Sequence, residues 1–344
     1  MQIAIHPAEN SWSDGWIAAC RRRDIGVKLV DCTAPDVIAQ VAGCDGLMWH
    51  FNHEDRADQL AAIPLLSALS AAGVPVYPDP PTMWHFDDKI AQSYLFEALG
   101  AQAAKTWVFY NKDRAMQFLA AADFPVVFKL RRGAGSTNVQ LIRDRRQGEE
   151  LCKKAFGEGF STSQGYFGEA GRKVRRIGSA EVPLQKVRRA PRSIKRNLQR
   201  ARASEKERGD FMVQQFIEGA DHDTRISVIG DRAFGFTRGV REDDFRASGS
   251  GIIHFEPARI DAQCVQAAFE LSAQLGSQSM AYDFVRGRDG KQWVVEMCYG
   301  YLASAVHSCP GHWLRDGTWV DGHVWPQDVS LDDFVARIRA RQSA

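Results

Sequence analysis

Two acidic residues in the last third of the chain, Asp283 and Glu296, have the chemistry of a metal site. Each lies in an apolar run, AYDFV or VVEMC, and a glycine-containing turn at 287–290 joins the two runs. This arrangement predicts two antiparallel strands with the carboxylates side by side. Mg²⁺ prefers carboxylate and phosphate oxygens. Because buried carboxylates require partners, we favour a cation site over two solvated acids at a sheet edge.

A glycine-rich stretch is the second candidate. The apolar run FPVVFKL ends at Lys129, and the loop from Gly133 to Ser136 follows, with Gly135 between them. Glycines let backbone N–H groups approach a phosphate, and a nearby lysine can reach the same oxygens. The same composition also suits an ordinary mobile turn, so this pattern alone leaves both interpretations open.

The elements that position these residues indicate an α/β protein. Short apolar runs alternate with helical stretches over the first 80 or so residues, which is typical of a parallel α/β unit. Pro78, Pro80 and Pro81 predict a boundary, and an amphipathic helix follows in DDKIAQSYLFEALGA. Further strands are predicted in FMVQQFI, TRISVIG, AFGFTRG, MAYDFVR and QWVVEMC, with a helix at 262–276.

Composition fits a globular protein of two or three subdomains. The chain has 344 residues, of which 44% are hydrophobic and 25% charged. With no basic leader and no apolar run near the roughly 20 residues that span a bilayer, we expect a cytoplasmic protein. The seven cysteines show no metal-binding spacing, so we expect free thiols.

Positive charge is concentrated in one basic insertion, residues 172–208. It contains 14 Lys or Arg against three Glu, a net charge of +11, while the whole chain has a formal charge of +2. No aromatic residues are interleaved to stack on bases, so nucleic acid is not the expected partner. We expect a mobile flap that an anionic substrate orders.

Taken in chain order, these segments resemble the ATP-grasp superfamily. The segments are DDK, FPVVFKLRRGAGSTNV, MVQQFIEGADHDTRISVIG, FRASGSG and YDF…VVEMC. They are most similar to ligases related to ribosomal-protein glutamate ligase and D-alanine:D-alanine ligase, over about residues 84–300. The resemblance implies an ATP-grasp fold at 84–344 behind an N-terminal Rossmann-like (pre-ATP-grasp) domain at 1–83. It also implies a small lid subdomain at about 105–217, which carries the basic insertion, and a large subdomain at 218–325.

The resemblance also assigns the binding of ATP and Mg²⁺. The nucleotide-binding residues that it implies are Lys89, Lys129, Gly133, Gly135 and Ser136 for the phosphates, Gln215, Phe216 and Ile217 for adenine, and Asp223 for ribose. Arg246 matches an arginine that neutralises the transferred phosphate, and Lys129 and Arg225 join it as catalytic residues. Asp283 and Glu296 match two magnesium ligands. Relatives usually have Glu at position 215 and Asn at position 298, where this chain has Gln215 and Cys298, and a thiol is a poor ligand for Mg²⁺.

The implied activity is an ATP-dependent carboxylate-amine ligase of glycan or small-metabolite biosynthesis. One alternative is an ATP-grasp kinase or phosphotransferase, and another is a non-catalytic nucleotide-binding regulatory protein, which Cys298 and Gln215 favour. The partners would be a small carboxylate, anionic in one interpretation, and an amine. The oligomeric state is open, although homodimers are the commonest oligomers. Candidate residues for substrate selection are Ser11, Trp12, His50, Asn52, His53, Tyr299, Tyr301 and Ser304.

Overall fold

The chain folds into two compact units. The computed structural model describes residues 1–8, 11–52, 55–133, 139–161, 206–240, 246–247 and 250–343. The larger unit consists of residues 1–86, 94–103 and 217–344, and the smaller unit of 87–93 and 104–216. The predicted N-terminal domain, 1–83, is contained in the larger unit, and its independence as a domain stays a prediction. The lid role of residues 105–217 also stays a prediction.

A parallel four-stranded sheet begins the larger unit. Its strands are β1 (Gln2–Ile5), β2 (Gly26–Leu29), β3 (Gly46–Met48) and β4 (Val76–Tyr77), in the order β2-β1-β3-β4. The accompanying helices are α1 (Trp12–Arg22), α2 (Val37–Val41), α3 (Arg56–Ala71) and α4 (Pro80–Met83). This alternation confirms the predicted Rossmann-like unit. Helix α1 begins at Trp12, where Ser11 caps it by accepting the Ser13 N–H.

Helix α5 (Lys89–Ala98) follows, and the smaller unit is built on an antiparallel sheet. The strands are β5 (Thr106–Phe109), β6 (Val126–Lys129), β7 (Val139–Ile142) and β10 (Phe211–Gln215), in the order β5-β10-β6-β7. Helices α6 (Lys112–Ala121) and α7 (Arg145–Phe156) belong to the same unit, as does the two-stranded pair β8 (Phe160–Ser161) and β9 (Lys206–Glu207). Phe128 and Phe211 stack in its core at a ring distance of 5.3 Å. Strands β6 and β7, on either side of the glycine-rich loop, pair antiparallel.

A second, mainly antiparallel sheet completes the larger unit. Its main strands are β11 (His222–Ile229), β12 (Arg232–Gly239), β14 (Ser279–Arg286), β15 (Gln292–Cys298), β16 (Gly311–Leu314) and β17 (Trp319–Asp321), in the order β15-β14-β11-β12-β16-β17. The short strand β13 (Ile253–His254) pairs with β12. The helices are α8 (Ala262–Leu275), α9 (Ala303–His307) and α10 (Pro326–Gln342), together with a 3₁₀ turn at Pro257–Arg259.

The two faces of this sheet pack into different cores because side chains alternate along each strand. Ile226 and Val228 pack with α8 residues such as Ala268. Phe234 and Ala281 face the other side, in a core with α1, α9 and α10. The indole Nε1–H of Trp16 in α1 donates to Ser330 Oγ in α10 at 3.0 Å, which ties the two helices together.

Helix ends follow capping rules that the sequence contains. Asp261 accepts the Gln263 N–H at the start of α8, and Gly276 ends this helix in the left-handed conformation at φ 66°. Among the described residues, no helix combines the length and apolar character needed to cross a membrane.

Candidate active site

The register of β14 and β15 places Asp283 directly opposite Glu296. The predicted antiparallel pairing is therefore confirmed. The register shifts immediately after Asp283, between Asp283 and Phe284, so the acid lies at an irregularity of the ladder. The Asp283 side chain is only 5% exposed, which means that its charge needs partners within the protein.

Two arginines supply those partners, and one of them also binds the acid predicted to contact ribose. Arg225 Nε and Nη2 donate to the two Asp283 carboxylate oxygens at 2.6 and 2.7 Å. Arg238 Nε and Nη2 donate to the two Asp223 oxygens at 2.7 Å each. Arg238 Nη2 also lies 2.9 Å from Asp283 Oδ2. Asp223, Arg225, Arg238 and Asp283 therefore form one ion network, which we call the arginine–aspartate network.

Burial and charge act in opposite directions on these acids. Burial opposes ionisation of Asp283, but the positive charges and hydrogen bonds of Arg225 and Arg238 outweigh it and hold the pKa of Asp283 below its ordinary value. Burial and the nearby Asp283 charge raise the pKa of Asp223. Despite burial, which lowers the pKa of each arginine, Asp283 raises the pKa of Arg225, and Asp283 and Asp223 together raise the pKa of Arg238. The network is stable when all four groups are ionised, because its charges then cancel.

The donor set fits a divalent cation only in part. Asp283 and Glu296 offer the oxygen ligands that Mg²⁺ prefers, but the arginines already occupy both Asp283 oxygens. Cys298 lies opposite Ala281 in the ladder and adds only a thiol. Within the part of the chain that the structure describes, no group of three or more His, Cys, Asp or Glu residues could hold a metal ion. Phosphate oxygens from a bound nucleotide would have to complete the coordination.

In the smaller unit, the DDK segment contacts the start of the glycine-rich loop. Lys89 Nζ donates to the Gly133 carbonyl at 2.5 Å, and the Gly133 N–H donates to Asp87 Oδ1 at 2.8 Å. The Lys89 N–H donates to the Arg131 carbonyl at 2.9 Å. Gly133 has φ 113°, a conformation that favours glycine. The structure thus brings Lys89 and Gly133 together, as the resemblance implies, whereas Gly135 and Ser136 lie outside the described residues.

The other predicted nucleotide residues lie on strand ends. Lys129 is the last residue of β6, between Met212 of β10 and Val139 of β7. Gln215 ends β10, and its N–H donates to the Lys105 carbonyl at 2.7 Å. The boundary between the two units falls between Phe216 and Ile217. Arg246 is half-buried, while three of the seven residues of the predicted FRASGSG segment and residues 172–205 of the basic insertion lie outside the described residues.

Four of the predicted substrate residues form an aromatic cluster in the larger unit. Trp12 stacks on His50 with a ring distance of 4.9 Å and an interplanar angle of 3°. Tyr301 contacts Trp12 edge-on at 5.3 Å, and Tyr299 contacts His50 at 5.7 Å. Trp12, Tyr299 and Tyr301 are each at most 4% exposed, so their direct role is packing. His50 is more accessible, and it lies just beyond the carboxyl end of β3, where α/β sheets bind ligands.

The remaining substrate candidates have separate positions. Ser11 caps α1, and its hydroxyl is thereby engaged in holding the helix. Asn52 and Ser304 are exposed. His53 lies outside the described residues.

Sequence reasoning missed Arg238. The residue lies in AFGFTRG, a predicted strand, opposite Asp223 in the β11–β12 register. The sequence indicated it only by a positively charged side chain near the end of an otherwise apolar strand, because a buried arginine requires an acidic partner. The partner itself could not be identified without the register.

The overall architecture is similar to that of solved ATP-grasp proteins. D-cycloserine synthetase DcsG matches with a TM-score of 0.58 and 17% identity over 98% of this chain and 100% of its own. A RimK domain ATP-grasp protein from Sphaerobacter thermophilus gives 0.54 and 16% over 98% and 100%. ATP-grasp ligase PsnB, solved with a minimal precursor, Mg and ADP, gives 0.54 and 12% over 98% of both chains.

Sequence comparisons add nothing to this likeness. No protein-family model matches the sequence, and no curated protein matches it significantly. The solved structures share too little sequence to transfer an activity, but their near-complete coverage of the chain settles its architecture. The chain has the ATP-grasp fold.

Proposed function

We propose that the protein is an ATP-dependent ligase that activates a carboxylate as an acylphosphate and joins it to an amine. The observation that carries the proposal is the pairing of Asp283 with Glu296 beside Arg225, on neighbouring strands of an ATP-grasp sheet. Carboxylates and arginines in one place can hold a cation and a phosphoryl group together. The structural neighbours include a synthetase and a ligase solved with Mg and ADP, which supports nucleotide chemistry.

The proposed reaction has two steps. A carboxylate oxygen of the substrate attacks the γ-phosphorus, the bond to the bridging oxygen breaks, and ADP leaves. The amine nitrogen then attacks the carbonyl carbon, phosphate leaves, and the amine loses a proton to give the amide. Neither step requires a covalent enzyme intermediate, so the protein acts mainly by positioning and by stabilising charge.

That positive charge is proposed to come from Lys89, Lys129, Arg225 and Arg246. A bound Mg²⁺ would neutralise phosphate charge, and Asp283 and Glu296 are the residues that would hold it. In the same proposal Gln215, Phe216 and Ile217 contact adenine, and Asp223 contacts ribose once Arg238 shares its hydrogen bonds with the ligand.

Substrate selection is proposed for the polar groups around the aromatic cluster. His50 is partly accessible, Asn52 and Ser304 are exposed, and Trp12 and Tyr299 pack against the His50 ring. The basic insertion at 172–208 is proposed to contact an anionic part of the substrate.

The test is ADP release from ATP with pooled carboxylates, with and without pooled amines, followed by mass detection of the product. Amine-dependent turnover supports a ligase, whereas amine-independent phosphorylation supports the kinase alternative. We expect Lys129→Ala and Glu296→Ala each to lower substrate-dependent ADP release by at least about 100-fold, since each removes charge stabilisation at the transferred group. Lys112→Ala and Glu270→Ala, at exposed positions on helices of the same units, serve as matched controls. Full activity in both site variants would contradict the proposal.

One observation favours a second candidate, a nucleotide-binding protein without turnover. Asp283 is neutralised by two guanidinium groups, and Cys298 contributes no oxygen. If this candidate is right, the protein binds ATP and releases no ADP with any substrate pool. Cys298→Asn would supply the missing oxygen ligand, and a gain of ADP release in this variant would identify the thiol as the cause of the lost catalysis.

A further inference from the structure

Arg238 is distinguished by its place between the two acids. It donates both of its bidentate hydrogen bonds to Asp223 and lies 2.9 Å from Asp283 as well. Arg225 contacts Asp283 but not Asp223 among the described ion pairs. Arg238 is also the more buried arginine, with 8% of its side chain exposed against 19% for Arg225. One guanidinium therefore joins the acid proposed for ribose to the acid proposed for the cation.

The charges of the arginine–aspartate network cancel. Two aspartates face two arginines, and Glu296, opposite Asp283 on β15, adds further negative charge at this place. A divalent cation that approaches Asp283 alone would meet two guanidinium groups within 3 Å of the same carboxylate. At such distances charge repulsion is large even in a partly solvated site.

We propose that Arg238 is a positioning residue that makes divalent-cation binding dependent on nucleotide. The inference deepens the proposed function and rests on it for the identity of the nucleotide. In the free protein the site has too little negative charge to bind the cation, and the nucleotide phosphates supply it. The phosphates also offer the Arg238 N–H groups a second acceptor. Cation and nucleotide then bind together with higher affinity than either binds alone, and Arg238 is the group that suppresses binding of the cation alone.

The proposal predicts a gain of binding, which a merely structural arginine would not produce. Binding of Mn²⁺ to the full chain is measured from the free-ion electron paramagnetic resonance signal, without nucleotide and with a non-hydrolysable ATP analogue. Because the analogue itself binds Mn²⁺, binding to the protein is the further loss of signal relative to the same mixture without protein. The wild-type protein is expected to bind Mn²⁺ tightly only with the analogue. Arg238→Gln is expected to bind Mn²⁺ at least roughly tenfold more tightly without nucleotide, because one positive charge near Asp283 is gone.

Further variants separate charge from folding. Arg238→Lys keeps the charge and should restore the dependence on nucleotide. Asp223→Asn combined with Arg238→Gln avoids leaving an unpaired buried acid, so it provides the test if the single variant does not fold. Arg232→Gln is the matched control, because Arg232 lies on the same strand but pairs with Asp333 instead, and it should leave Mn²⁺ binding unchanged.

The outcomes distinguish this inference from the proposed function. Equal Mn²⁺ affinity of the wild type with and without the analogue, or no gain in a folded Arg238→Gln protein, would overturn the role of Arg238. ADP release by a wild type that binds Mn²⁺ without nucleotide would uphold the ligase and reject only the coupling. A wild type that binds no nucleotide, even with Mn²⁺, would overturn both.

Discussion

Asp283 in the larger unit and Glu207 in the smaller unit are carboxylates with different partners. Asp283 accepts hydrogen bonds from Arg225 and Arg238, and its pKa lies below its ordinary value. Glu207 Oε1 accepts only the Arg132 backbone N–H, at 3.0 Å, while its Oε2 is buried and makes no hydrogen bond in the described structure. Burial, followed by the nearby Asp210 charge, raises the pKa of Glu207 to about 7.

The comparison shows that the partner, rather than burial alone, decides whether a buried acid is ionised. In the larger unit two guanidinium groups bind Asp283 and keep it ionised. In the smaller unit Glu207 has a neutral hydrogen-bond donor, so its charge depends on pH. Asp283 should therefore be sensitive to mutation and stay ionised in mild acid, whereas Glu207 should show the opposite behaviour.

The largest effect on stability is expected from Asp283→Asn. Removal of this charge leaves the largely buried Arg225 guanidinium without a counter-ion, whereas Arg238 keeps its ion pair with Asp223. Breaking a buried ion pair in this way costs about 3–5 kcal/mol. The free energy of unfolding is measured by urea denaturation, and hydrogen exchange of the β14 and β15 peptides locates the loss. Substrate-dependent ADP release should also disappear.

Asp333→Asn is the matched control for this change. Asp333 also pairs with an arginine of β12, at 3.3 Å, but about a third of each side chain is exposed. Exposed pairs contribute only about 0–1 kcal/mol. If Asp333→Asn lowers the free energy of unfolding as much as Asp283→Asn does, the larger contribution expected of the buried network is wrong.

The strands and the pairing of Asp283 with Glu296 could be predicted because they depend on local patterns. Apolar runs around a glycine turn are enough to predict that β14 and β15 are neighbours, and the register confirms it. The hairpin of β16 and β17 was not predicted, since its short strands, GHWL and WVD, show no distinct periodicity. Ser11, a candidate for substrate selection in the sequence, is instead the N-cap of α1.

The ion network could not be predicted from the sequence because it depends on three strands at once. Asp223 faces Arg238 through the β11–β12 register, and Arg225 faces Asp283 through the β11–β14 register. A shift of one residue in either pairing would turn the side chains to opposite faces. The resemblance suggested separate roles for Asp223 and Asp283, but it contained no information that one arginine joins them.

An intermediate effect on stability is expected from Glu207→Gln. It is confined to the pH range between the ordinary and the folded-state pKa of Glu207. The folded-state pKa of Glu207, about 7, lies above its ordinary value of 4.5. The folded protein therefore retains a proton that the unfolded chain releases, so stability decreases as pH rises through this window. Urea midpoints measured from below pH 4.5 to above pH 7 should decrease for the wild type. Glutamine cannot ionise, so the variant should lose most of this decrease.

Asp210→Asn provides a second measurement for the same window. The Asp210 charge is the second cause of the raised pKa of Glu207, so its removal should shift the decrease in stability toward lower pH without abolishing it. A wild-type protein whose urea midpoint is flat across this window would show that Glu207 is solvated in solution. The contrast with Asp283 would then be lost.

The smallest effect is expected from Asp88→Asn, in an exposed ion pair of the smaller unit. Asp88 Oδ2 accepts from Arg131 Nε at 2.9 Å and also from Nη2, but 45% of the arginine side chain is exposed. Solvent screening limits the contribution of such a pair to stability to less than about 1 kcal/mol. Asp88 Oδ1 also accepts the Ala91 N–H at 3.0 Å in the first turn of α5, and asparagine can keep this cap.

Asp88→Ala separates the two roles, because it removes the cap together with the ion pair. Urea denaturation should show an additional loss of about 1 kcal/mol for alanine relative to asparagine. If asparagine is as destabilising as alanine, the charge rather than the cap carries the contribution. If Asp88→Asn is as destabilising as Asp283→Asn, burial is not what distinguishes the ion pairs of the two units, and the strength of the arginine–aspartate network must come from geometry alone.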